Sequence, residues 1–274
     1  IDGLGQDVDD TLTVNDSDAV IEQGFAPGSG RVTATDMFGQ LLLPIDYVGV
    51  EDVEVVDDTP EDNIGLIRGT EGDDQLAIDA SGIATLTNEF GDENSVNVST
   101  FDSLVIDLGG GDDEVDIAPS SLFPGTYTTE TGIVIIGGEP GAGSDAVTLT
   151  ATAATATLDF AGTAVINGSS VTANTVTGIV GGSVALTGVE GLAIESPTND
   201  VRNDYVVDNY GATTDLNTVT LDGGDTDNDD LDEIEIGLVD DPTTVSYEPT
   251  SGSSGIFTGG GATINVQGFN DFDG

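Results

Sequence analysis

The chain has 274 residues, with 3 Lys+Arg against 52 Asp+Glu, a formal net charge of −49, no His and no Cys. Its cations are Arg31, Arg68 and Arg202, so disulfides, thiolate or imidazole metal sites, Schiff bases and lysine isopeptide cross-links are excluded. So acidic a surface repels nucleic-acid phosphates and anionic lipids, and it opposes compaction of the chain unless salt screens it or divalent cations neutralise it.

Along the chain two elements recur. The first is an apolar pair, a Gly/Asp-rich turn and a run of alternating apolar residues. It opens the sequence at Ile1–Val14, with Asp7, Asp9 and Asp10 at its turn. It returns at Gly65–Ile78 through Gly69-Thr70-Glu71-Gly72-Asp73-Asp74, and at Leu104–Ile117 through Gly109-Gly110-Gly111-Asp112-Asp113. Looser copies run from Ile133 to Leu149 through Asp145, and from Val219 to Ile236 through Asp225, Asp227 and Asp229. The second element is an alternating strand carrying an acid after an apolar residue, at Tyr47–Val55 and Leu186–Ile194, with weaker versions at Thr100–Ile106 and Val266–Phe272.

Between these elements Thr, Val and Ile alternate with a period of two, as in Arg31–Thr35, Ala84–Thr87, Ser95–Val98 and Val147–Thr150, which predicts strands. Asn167-Gly168, between two such runs, predicts a tight hairpin. No window carries a 3.6-residue apolar stripe, and the fold expected is all-β. The turn aspartates Asp10, Asp74, Asp113, Asp145 and Asp230 stand 64, 39, 32 and 85 residues apart. Such uneven steps suit stacked coils, which let insertions leave at the corners, better than domains of constant length. The expectation is a repetitive β-solenoid resembling a parallel β-helix, with serial β-sandwich domains as the alternative. Its units are 1–64, 65–132, 133–210 and 211–274.

The turns have the chemistry of calcium sites. Ca²⁺ takes six to eight hard oxygens from carboxylates and carbonyls, and glycine lets the backbone bend sharply and expose its carbonyls. The expected ligands are Asp7, Asp9, Asp10, Asp73, Asp74, Asp112, Asp113, Asp145 and the triplet Asp225, Asp227 and Asp229, whose i, i+2, i+4 spacing aims three carboxylates at one point. The triplet is not an EF-hand, since Asp230 and Ile236 stand where the turn Gly and bidentate Glu would be.

Gly69–Ala77 and Leu108–Asp116 each differ at a single glycine from Gly-Gly-x-Gly-x-Asp-x-apolar-x, and so resemble the nonapeptides of RTX (haemolysin-type) calcium-binding proteins. RTX nonapeptides follow one another directly, whereas here each is alone in a longer unit. The resemblance therefore implies that Asp74 and Asp113 are ligands, and does not imply the RTX roll. The longer unit, a Gly-Asp turn joined to a Gly-Val-Glu strand, is similar to repeats of giant secreted and surface proteins of planctomycetes and marine bacteria. That similarity implies an exported, calcium-stabilised structural protein of a surface layer, filament or matrix, located outside the cell or on its surface.

An enzyme is not expected. The chain lacks the usual general base, its aromatic content is 5% with no Trp, and its charge repels anionic polysaccharides. The expected partners are neighbouring repeats or identical subunits stacked head to tail, because the last strand element stops before a turn while the first turn lacks its preceding strand. Extracellular glycans are a further partner class, which exposed aromatics such as Tyr205 and Tyr210 beside a calcium site would favour. No nucleic acid and no membrane insertion are expected, there being no apolar run of spanning length.

Overall fold

The structure is a computed structural model that describes residues 11–14, 20–23, 29–33, 44–48, 52–55, 64–99, 101, 103–118, 132–140, 145–150, 155–166, 169–179, 183–195, 204–212, 214–224, 233–238, 246–251 and 253–269. Among them there are strands and no helix, so the expected all-β class holds. The first strands are β1 (Thr11–Val14), β2 (Val20–Gln23), β3 (Gly30–Thr33), β4 (Ile45–Tyr47) and β5 (Asp52–Val55). Next come β6 (Ile64–Arg68), β7 (Gln75–Ile78), β8 (Ile83–Thr87), β9 (Glu93–Asn97), β10 (Ser103–Asp107), β11 (Gly110–Gly111) and β12 (Glu114–Ile117). The middle of the chain forms β13 (Ile133–Ile136), β14 (Glu139–Pro140), β15 (Ala146–Thr150), β16 (Thr155–Ile166), β17 (Ser169–Thr177), β18 (Ser183–Thr187) and β19 (Gly191–Glu195). The last strands are β20 (Asp204–Tyr210), β21 (Thr218–Asp222), β22 (Glu233–Leu238), β23 (Ser246–Ser251), β24 (Ser254–Gly260) and β25 (Ala262–Gln267).

From β6 onward the chain passes back and forth between two large sheets. The 11-stranded sheet has the order β22-β20-β16-β17-β18-β13-β10-β6-β2-β3-β4, and the 10-stranded sheet the order β23-β24-β25-β21-β19-β15-β12-β7-β8-β9. Strands entered from a corner pair in parallel, as β6, β10, β13 and β18 do in one sheet and β7, β12, β15, β19, β21 and β25 in the other. Antiparallel hairpins are grafted onto this pattern at β2–β3–β4, β7–β8–β9, β16–β17–β18 and β23–β24–β25. Ile166 pairs with Ser169 across the β16–β17 hairpin; Asn167-Gly168, where the tight turn is expected, lies outside the described residues.

Parallel register turns the period-2 pattern into columns. Leu76, Val115, Val147, Leu192, Val219 and Ile264 align across the 10-stranded sheet, and Ile78, Ile117, Leu149, Ile194, Leu221 and Val266 align beside them. Every member of both columns is buried. The facing sheet contributes Ile67, Ile106, Ile135 and Leu186, paired in the same way, and all belong to one hydrophobic core shared by the two sheets. Where the β16–β17 hairpin extends past a bulge between Asp159 and Gly162, its Ala164 and Ala173 pack on Val134 and Ala185, forming a second, smaller apolar cluster.

Tyr205 and Tyr210 belong to the core. They are 2% and 0% exposed, and their hydroxyls donate to the carbonyls of Asp222 (2.8 Å) and Ala262 (2.7 Å). Tyr205 meets Phe269 edge-on with ring centroids 5.5 Å apart, and Tyr210 packs on Phe160 at 5.7 Å. Neither ring is available as a platform for an external glycan, so the expectation of exposed aromatics is corrected: alternation turns Tyr205 inward with Val207, and the irregularity between Val207 and Tyr210, with Asn209 at φ 55°, turns Tyr210 inward as well.

Leu149→Ala empties a place in an interior column, whereas Thr148→Ala alters the opposite face of the same strand. Chemical denaturation should show a loss of about 2–5 kcal/mol for the first and a change within about 0.5 kcal/mol for the second.

Candidate functional site

The corners that carry the chain from the 11-stranded to the 10-stranded sheet differ in length, yet each delivers one acidic residue to the same place, immediately before the inward strand begins. Those residues are Asp74, Asp113, Asp145 and Glu190. The N–H of Asp74 donates to Oδ1 of Asp113 (2.8 Å), the N–H of Asp113 to Oδ1 of Asp145 (3.0 Å) and the N–H of Asp145 to Oε2 of Glu190 (3.0 Å). These partners are 39, 32 and 45 residues apart in sequence. The carbonyls run the same column in reverse: Asp74 accepts from the N–H of Glu114 (2.9 Å), Asp113 from Ala146 (2.8 Å) and Asp145 from Gly191 (2.9 Å).

Glycine makes the close stacking of corners possible. Gly109 has φ +93°, and a Cβ there would lie 1.9 Å from the carbonyl oxygen of Thr70. Gly138 has φ +96°, with the carbonyl oxygen of Gly109 1.8 Å from its hypothetical Cβ. Only a residue without a side chain fits such positive-φ turns packed backbone on backbone. Thr70 closes the first corner, its N–H and its Oγ1 both donating to Oδ2 of Asp74, the latter at 3.0 Å.

Of the residues expected to bind metal, the structure therefore brings Asp74, Asp113 and Asp145 into one buried column, at 0%, 1% and 2% exposure. Asp73 and Asp112 form a parallel, exposed pair in which the N–H of Asp112 donates to Oδ1 of Asp73 (3.0 Å). Asp7, Asp9, Asp10, Asp225, Asp227 and Asp229 lie outside the described residues. Glu190 is the member that sequence reasoning missed. The run Leu186–Ile194 was expected to be one strand, but it divides into β18 and β19 with Gly188 at φ +65° between them. Gly-Val-Glu is thus the shortest version of the Gly-Asp corner, and the signal for it was an acid standing two residues before the apolar Leu192.

Burial dominates the electrostatics of the column. It pushes the carboxyls of Asp74 and Asp145 up from their ordinary range, and Asp113 up to about 7. The N–H bonds they accept oppose that shift, while neighbouring carboxylates add to it: Asp145, Asp74 and Asp73 around Asp113, and Glu190 and Asp112 around Asp145. Unit charges one strand spacing apart, about 4.8 Å, repel by roughly 3.5 kcal/mol at an effective dielectric of 20. Among the described residues the hydrogen bonds also leave two buried oxygens, Oδ1 of Asp74 and Oδ2 of Asp113, without a partner, and a buried acceptor left unmet costs about 1–3 kcal/mol. A cation would supply what both atoms lack. Among the described residues no three acidic side chains gather closely enough to enclose a metal by themselves, so carbonyl oxygens of the glycine-rich corners would have to complete a shell.

Compared with protein-family models, curated proteins and solved structures, the chain matches none.

An unfolded aspartate titrates near 4, so between about pH 4 and pH 7 the folded state holds a proton at Asp113 that the unfolded state has lost. The stability of the calcium-free chain should then be highest at the acid end and decline as pH rises through that window. Denaturant titrations in EGTA at fixed ionic strength should show this decline, and Asp113→Asn should flatten it. A wild-type stability that rises across the window would contradict the assignment.

Proposed function

We propose that the chain is a non-enzymatic structural module of an extracellular or cell-surface array, a two-sheet β-solenoid whose acidic corners are closed by Ca²⁺. The observation that carries this reading is the buried column Asp74–Asp113–Asp145, ended by the half-buried Glu190, with its two partnerless oxygens. A fold held only by hydrogen bonds would gain nothing from charged groups at these positions, whereas a cation makes the charge useful. When bound, calcium supplies positive charge and oxygen coordination at the corners. The residues that would hold it are Asp74 and Asp113 from the interior, with Asp73, Asp112 and Asp145 beside them.

Two further features support the reading. The chain alternates between two sheets while its columns remain in register over connections of very different length, which favours stacked coils over serial sandwiches. Grafted hairpins leave those columns intact, as expected of an array whose job is length and stiffness. Millimolar calcium outside cells matches the weak, carbonyl-rich sites such corners can offer. Neighbouring repeats or identical subunits are the partners this architecture accommodates, because a solenoid end presents an unpaired strand edge.

With extracellular-type dissociation constants of roughly 10⁻⁴–10⁻³ M, about 10 mM calcium should add about 1.4–2.7 kcal/mol per site. Melting curves in calcium and in EGTA at equal ionic strength should therefore differ clearly in midpoint. Asp74→Asn and Asp113→Asn, which keep an acceptor oxygen and remove the charge, should shrink that difference. Asp46→Asn, at the exposed Arg31 ion pair, should leave it unchanged. Equal midpoints with and without calcium would instead assign the acidity to salt adaptation.

A further inference from the structure

The parallel ladder of the 11-stranded sheet is interrupted once between β20 and β6, where β17 enters antiparallel between β16 and β18. A small cleft opens at that place. Its walls are Thr172 and Asn174 of β17, Thr187 at the end of β18, and Thr214 and Asp215 from the connection between β20 and β21, with the buried ring of Phe160 on its apolar side. The walls are tied together. The hydroxyl of Thr214 donates to Oδ1 of Asn174 (2.7 Å) and accepts from the N–H of Leu216 (3.0 Å). Oδ2 of Asp215 accepts from the N–H of Gly188 (3.2 Å), the corner glycine next to Thr187. Asn174, Thr214 and Asp215 are thus held in place before any ligand arrives, and Asn174 is only 5% exposed.

The character of the lining selects among ligand classes. Among the described residues no cationic group lines the cleft, and Asp215 stands exposed at its edge, so a phosphate, sulfate or carboxylate would meet only repulsion. A purely apolar ligand would strand the hydroxyls and the carboxylate, at the cost that unmet polar groups carry. What remains is a cation or a neutral molecule rich in groups that both donate and accept, and with one carboxylate among three threonine hydroxyls and an amide the lining favours the second. We infer that this cleft binds a neutral sugar ring, whose hydroxyls donate to the Asp215 carboxylate and exchange hydrogen bonds with the exposed hydroxyls of Thr172 and Thr187. The cleft adjoins the column at its Gly188–Glu190 end and includes neither Asp74 nor Asp113, so sugar binding should be insensitive to the loss of calcium as long as the chain stays folded.

The test is saturation-transfer NMR on the whole chain with glucose, galactose, mannose and N-acetylglucosamine at millimolar concentration, and glucuronate as the anionic comparator, in calcium and in EGTA. At least one neutral sugar should give transfer in both conditions and glucuronate should give none. Thr172→Val and Thr187→Val preserve side-chain shape and remove one hydroxyl each, so each should weaken that sugar about tenfold, as expected for one lost hydrogen bond, with an unchanged melting midpoint. Absence of transfer from every neutral sugar, equal transfer from glucuronate, or undiminished binding in both valine variants would each overturn the inference.

Discussion

Main-chain pairing between segments distant in sequence is the constraint on which the structure depends. Once β7, β12, β15, β19, β21 and β25 pair in parallel and in register, each inward residue must lie on the inward residue of its neighbours. The apolar columns at Leu76 and Ile78 are consequences of that pairing, and a one-residue slip would turn both toward solvent. Connections are free to vary so long as they return to register, so hairpins such as β8–β9 and β16–β17 can be inserted without disturbing the core. The corners are not free in this way, because they must cover the exposed ends of the columns while stacking directly on one another.

That demand explains why an acid stands at the corner. The N–H that precedes each inward strand is buried and needs an acceptor, and the side chain of the next corner is the group within reach. An amide would serve for that single bond; the following corner has an exposed Asn217 at the corresponding position in sequence, and there the N–H of Glu190 turns to the carbonyl of Asp145. A carboxylate brings a second oxygen and a charge, both costly in a buried place. In the first corner Thr70 engages the second oxygen of Asp74 through two donors. The other carboxylates have no threonine at that point, and the partnerless Oδ2 of Asp113 marks where hydrogen bonding alone stops being a sufficient account.

Much of this was legible in the sequence, and its limits have a physical cause. Strand content followed from the Thr/Val/Ile alternation, and the β16–β17 hairpin from Asn167-Gly168. The repeated Gly-Asp turns singled out the corners. Which aspartate of each pair is interior was also written there: Asp74 shares parity with Leu76 and Ile78, and Asp113 with Val115 and Ile117, while Asp73 and Asp112 have the opposite parity and lie outside. Glu190 stayed hidden because a corner of three residues is too short to interrupt an alternating pattern. The inward turn of Tyr205 was readable by its parity with Val207, whereas that of Tyr210, five residues on and of opposite parity, depends on the irregularity between Val207 and Tyr210; composition decided neither, since tyrosine suits a core with a satisfied hydroxyl as well as it suits a surface. The cleft beside Asn174 had no local signal at all, because it is assembled from β17, β18 and the 214–215 turn.

The two explanations of the acidity, salt adaptation and cation binding, act on different residues. Acids on the outer faces, such as Glu114, Asp116 and Glu195, are exposed, and mobile ions screen them within a Debye length of about 8–10 Å at ordinary ionic strength. Screening of that kind does not reach Asp74, Asp113 and Asp145, which have almost no contact with solvent. Their charge must be removed by a proton or balanced by a bound cation. A salt-adapted surface offers no reason to carry three carboxyls into buried corners, when the corresponding residue of a later corner, Asn217, is neutral and exposed. Selection for salt could account for most of the net charge and would still leave the column unexplained, whereas the proposed cation at the corners would account for the column's position, its burial and its partnerless oxygens together.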